Sequence, residues 1–161
     1  MKSLLYRLLE TTPSVTAAIA RIVVGGVMLP HGLQKTLGWF GGYGLESTLN
    51  YFTGTMHLPW IVALAVVAAE SVGAFLLLLG VATRVAAVGI ASVMIGAVLT
   101  THVPHGFFMN WFGQQKGEGF EFHLLALGLC AINLVAGGGW GSIDSWWQRR
   151  ESHLHPRTSS A

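Results

Sequence analysis

The chain has 161 residues, of which 52% are hydrophobic and only 10% charged, with 21 glycines, 6 tryptophans and a formal charge of +2. Water-facing domains carry about 25% charged residues, so this composition excludes an ordinary soluble surface and fits one that faces lipid. The small net charge, with no basic stripe interleaved with stacking aromatics, excludes a nucleic-acid binder; the single cysteine, Cys130, excludes an intrachain disulfide, a CxxC redox pair and a multi-cysteine metal centre.

Taken in chain order, residues 1–12 contain "KSLLYRLLE", with leucines on one face and charges on the other, and read as an interfacial segment. The first apolar run covers residues 13–38. Lys2 and Arg7 precede it, but Arg21 interrupts it and no A-x-A site follows, so it is expected to be an uncleaved membrane helix. Thr12 and Pro13 suit its N-cap and first position. "LESTLNYF" repeats apolar residues at Leu45, Leu49 and Phe52 and reads as a second interfacial helix. The second run, 58–79, is opened by Pro59 and closed by Gly80; "GVATR" then turns tightly into the third, 84–103, which Pro104 should end. The fourth, 120–136, is the shortest and stops at the three glycines from Gly137 to Gly139. Each run approaches the roughly 20 residues that cross a bilayer as a helix. The expected fold is therefore all-α: a bundle of four transmembrane helices over residues 13–136, with short interfacial helices. Residues 137–161 supply a last one, "IDSWWQRR", and a polar tail read as disordered.

Basic residues fix an expected orientation. Lys2, Arg7, Arg84, Arg149, Arg150 and Arg157 fall on one side of such a bundle, and Lys35 and Lys116 on the other. Both termini should then be cytoplasmic, in a multi-pass protein of a bacterial inner membrane.

Ionisable groups inside the runs point to function, because a charge at the bilayer centre costs roughly 2.5–3.5 kcal/mol and faces a partner or a cavity. Counted along the helices at 1.5 Å per residue, Arg21 lies about 12 Å and Glu70 about 14 Å from the cytoplasmic ends of their helices. Matched depth predicts an Arg21–Glu70 ion pair, whose simplest role is to fix helix register. On the first helix Arg21, Gly25, Met28, Gly32 and Lys35 form an inward stripe. At the outer ends His31, Lys35, His102, Glu121 and His123 gather at one level beneath Phe107, Phe108, Trp111, Phe112, Phe120 and Phe122. Three chemistries suit such a cluster: a quinone head-group pocket, a metal or haem site, or a hydrogen-bond network that closes the bundle. Glu121 and His123, two apart on a helix, point to different sides, so no metal site is expected; haem would need two facing axial histidines. A quinone needs only a few donors and an aromatic wall near the membrane surface.

These residues also resemble a known family. "RIVVGGVMLPHGLQK", "AESVGAFLLLLGVATRVAA", "HVPHGFFMNW", "GEGFEFHLLAL" and "GGGWGSID" occur in the order and spacing of the DoxX family of small four-helix membrane proteins, over residues 17–146. The resemblance implies that architecture. It also implies a link to membrane redox systems, since some members serve quinone-coupled sulfur oxidation and others redox-protection complexes. Family positions carry over to Arg21, His31, Lys35, Glu70, Arg84, His102 and Glu121. The expectation is a small subunit of a quinone-linked oxidoreductase, assembled with a membrane protein partner or with itself. The alternative is a non-catalytic scaffold.

Overall fold

The computed structural model describes residues 8–154, with side chains to residue 151. Most of the expected first interfacial segment, and the tail beyond residue 154, lie outside the described residues.

No strand occurs among the described residues; the elements are α1 (Val15–Leu37), α2 (Gly44–Asn50), α3 (Trp60–Leu79), α4 (Thr83–His105), α5 (Glu121–Ala136) and α6 (Ile143–Leu154). Three of them, α1, α3 and α4, are long and apolar enough to cross a membrane, whereas α5 is apolar but has only 16 residues. Helices α1, α3, α4 and α5 pack side by side, each against the next, with α5 returning to α1. Val24, Met28, Leu77, Ile90, Met94, Ala126 and Cys130 fill the space between them. The opposite faces carry exposed Ile22, Val27, Phe75, Val88, Ile95 and Leu125. Such apolar exposure is unfavourable against water but is the ordinary surface of a helix in lipid.

The caps differ from expectation in detail. Ser14, not Thr12, caps α1, because its hydroxyl accepts from the Ala17 amide and leaves Pro13 outside the helix. Pro59 is the residue before α3 rather than within it. Pro104 does not end α4: the last turn tightens through Val103–His105 and stops at Gly106. Gly38 and Gly80 end α1 and α3 in the left-handed conformation.

Close approach of α1 to α3 depends on two glycines. A Cβ at Gly25 would meet the Ala74 carbonyl at 2.9 Å, and one at Gly32 would overlap the backbone of Glu70 and Ser71. Small residues let backbones approach in lipid, where packing and hydrogen bonds, not the hydrophobic effect, hold helices together. The small face of α4 is used differently. Gly89 meets the Ala69 methyl, while Gly96 has open space beside it.

Three π-helical turns interrupt the regular helices: Tyr51–Thr55 after α2, Ala69–Gly73 within α3 and Val98–His102 within α4. Such turns are rare and concentrate at functional sites. Two of these carry ionisable residues that the sequence singles out, Glu70 and His102.

Candidate functional site

The bundle has two polar ends. At the base, Arg21 is 4% exposed and its guanidinium donates to four carbonyls: Gly138 at 2.7 Å, Leu77 at 3.2 Å, Leu78 at 2.6 Å and Trp140 at 3.4 Å. At the end of α3, where carbonyls run out of helical donors, the planar fork of Arg21 reaches two at once: that of Leu78, and that of Leu77, which also accepts from the Gly80 amide. Asp144, 4% exposed, does the complementary work at the start of α4. Its carboxylate accepts from the amides of Ala82 and Thr83 and from the Thr83 hydroxyl, while its own amide donates to the Gly80 carbonyl. The Thr11 hydroxyl accepts from the Gly139 amide, and the Thr12 amide donates to Ala136. This knot seals the α3–α4 turn against the glycine-rich segment that follows α5.

The expected Arg21–Glu70 pair is therefore not formed. Glu70, 6% exposed, pairs instead with Lys35, its Oε2 2.5 Å from Nζ. The depth count failed because it assumed that both helices end in one plane. The first turn of α1 is held lower, by bonds from Thr12 to Ala136 and from Trp140 to Ser14. Register then sets Gly32 against Glu70, and Arg21 beside Gly80, where a Cβ on the glycine would come within 3.2 Å of the guanidinium carbon. The Lys35 stem, lying back along α1 as helical side chains do, reaches the Glu70 level.

At the loop end, rings from three helices make a continuous row. His31 of α1 lies 6.5 Å from Phe122 of α5, Phe122 lies 5.5 Å from His123, and His123 lies 4.1 Å from His102 of α4, all between ring centroids. His123 is 6% exposed and its Nδ1 is buried without a partner. His102 Nδ1 meets the Glu118 carbonyl at 2.8 Å. His31 is exposed at the edge of the row.

Residues 106–120 form a loop over this row, and two acids order it. Glu121 Oε1 accepts from the Met109 amide and from the Trp111 indole, each at 3.0 Å. Glu118 Oε2 accepts from the Asn110 amide at 2.7 Å, and Asn110 and Gln115 bond each other reciprocally. The loop meets the row at His102, through the Glu118 carbonyl, while Phe107, Phe108, Trp111 and Phe112 stay exposed. Lys35 is paired with Glu70, and Glu121 is turned to the loop. Among the described residues no group of three or more His, Cys, Asp or Glu side chains is placed to hold a metal ion.

One participant, Asp144, was missed as a site residue. Asp144 could have been found as the acid closest in sequence to the glycine-rich stop of the last run, on the Arg21 side of the bundle. Glu118 acts on His102 through its backbone carbonyl, for which a sequence carries no signal.

Taken together, these features define a helical membrane protein with a hydrogen-bonded knot at one end of the bundle and a row of histidine and phenylalanine rings at the other. The chain belongs to the DoxX family, whose model matches residues 16–103. That match holds Arg21, His31, Lys35, Glu70, Arg84 and His102, and stops short of Glu118, Glu121 and His123. The chain is also 33% identical over 92 residues to the Bacillus subtilis (strain 168) protein described as "Putative oxidoreductase CatD"; the match covers 57% of this chain and 63% of that protein, less than two thirds of its length. No solved structure matches the chain.

Proposed function

We propose that this protein is a small bacterial inner-membrane subunit of a quinone-linked redox system, and that its loop end receives the quinone head group. The buried, unpartnered Nδ1 of His123 carries this reading. A buried polar atom without a partner is costly, and here it lies between a second histidine and Phe122, at the end of a membrane bundle. An apolar wall with a few polar groups is what a lipid-soluble head group requires. The oxidoreductase description of the Bacillus relative points the same way. In this reading α5 completes a fourth crossing with the help of its flanks. Residues 13–136 are the membrane domain, while residues 1–12 and 137–161 lie at the cytoplasmic surface. A membrane protein partner or a second copy completes the enzyme.

Purified protein in mild detergent should bind a short-tailed quinone analogue. His123→Ala should weaken binding by roughly fivefold to 150-fold, corresponding to about 1–3 kcal/mol for a lost polar partner. His102→Ala, at a half-buried helix exit, should weaken it with little change in melting temperature. Unchanged binding together with a clear loss of thermal stability in both variants would replace this reading with a scaffold whose histidines only close the bundle.

Orientation is checked separately. A cytoplasmic reporter fused after Arg150 should be active and a periplasm-only reporter silent, as the distribution of basic residues requires. The reverse pattern would overturn the cytoplasmic assignment of the base.

A further inference from the structure

The contact between His102 and Glu118 fixes more than the position of the ring. A backbone carbonyl oxygen can only accept a hydrogen bond. His102 Nδ1, 2.8 Å from the Glu118 carbonyl, must therefore carry the proton. In a neutral imidazole one nitrogen donates and the other accepts, so the hydrogen bond at Nδ1 leaves a lone pair on Nε2. Among the described residues nothing bonds to His102 Nε2, and the neighbouring His123 ring, 4.1 Å away, keeps its own Nδ1 buried without a partner. The Glu118 carbonyl is itself held in place. It belongs to the loop that the Glu118 carboxylate pins through the Asn110 amide, and Glu121 through Met109 and Trp111.

We infer that the loop-end site selects the hydroxyl-bearing, reduced form of its lipid-soluble ligand, a quinol rather than a quinone, with His102 Nε2 accepting a hydrogen bond from the head-group hydroxyl. The inference rests on the head-group reading above and specifies which redox form that site holds. A quinol O–H points a hydrogen at the Nε2 lone pair. A quinone carbonyl at the same place would set lone pair against lone pair, leaving both unsatisfied. A difference of one hydrogen bond made or left unmade at Nε2, beside the buried His123 ring, is expected to separate the two forms by about tenfold in affinity.

The test compares decylubiquinol, kept reduced under anaerobic conditions, with decylubiquinone on the same detergent-purified full chain. The quinol should bind about tenfold more tightly. His102→Gln, whose amide offers both a donor and an acceptor, should bring the two affinities close together while both still bind. Nitrogen-15 NMR on histidine-labelled protein should report a neutral His102 protonated at Nδ1. Equal affinities, or tighter quinone binding, in the unmodified protein would overturn the inference and leave the head-group site standing. Binding of neither form would overturn both. A His102 signal protonated at Nε2 would overturn the inference without reference to any ligand.

Discussion

Arg21→Met should be the most destabilising single substitution in the bundle, with a loss of at least about 3 kcal/mol. The expectation follows from what Arg21 touches. Its guanidinium satisfies carbonyls of Leu77, Leu78, Gly138 and Trp140 that lie inside the base. Hydrogen bonds to a charged group contribute about 1.5–3 kcal/mol each, and an orphaned buried acceptor adds its own desolvation cost. Methionine fills much of the volume and returns none of these bonds. Arg21→Lys should fall between the two, since an ammonium keeps the charge but cannot span carbonyls from two segments as a planar fork does. Thermal melting of the three proteins in one detergent checks the order. Lysine as stable as arginine would mean that charge alone holds the base.

The second large effect is expected at Lys35. Lys35→Met leaves the Glu70 carboxylate buried without its counter-charge, and breaking a buried ion pair from one side typically costs about 3–5 kcal/mol. Adding Glu70→Gln should recover much of that loss, because it removes the stranded charge. The double-mutant cycle for Lys35 and Glu70 should give a coupling of about 0.5–3 kcal/mol, as residues in contact do. The same cycle for Arg21 and Glu70 should be additive within about 0.5 kcal/mol, because they share no partner: Arg21 bonds carbonyls at the end of α3, and Glu70, in its middle, pairs with Lys35. Strong coupling in the second cycle, or none in the first, would overturn the register described for α1 against α3.

These two residues also show how far the sequence can be read. The helical runs were visible because lipid-facing and buried positions are both apolar, so hydropathy marks a run whatever its neighbours. The stripe on α1 was visible because 3.6-residue periodicity is a local property: Arg21, Gly25, Met28 and Gly32 are all buried. Pairing between helices is a different kind of information. It depends on where one rod is pinned against another, and the pins here include backbone bonds from Thr12 to Ala136 and from Trp140 to Ser14 that have no residue signature. Glu70 was recognised as a buried acid and assigned the wrong cation for this reason. The loop-end histidines were legible as a set, since each stands at the end of an apolar run. The carbonyl that sets the His102 proton was not, since any residue at position 118 would supply one.

The three π-helical turns bear on how side chains are aimed. Each holds one residue more than an α-helical turn, so a rod that passes through one comes out rotated by about 100° from the phase at which it entered. A helical wheel drawn through Trp60–Leu79 at constant pitch is thus out of step on the two sides of Ala69–Gly73. The same holds for Thr83–His105 across Val98–His102. An extra residue lets the far end of a rod be re-aimed while the near end keeps its packing. The base halves of α3 and α4 can then be held by Arg21 and Asp144 in one phase. The π-helical turns themselves, where the phase changes, present Glu70 to Lys35 and His102 to His123.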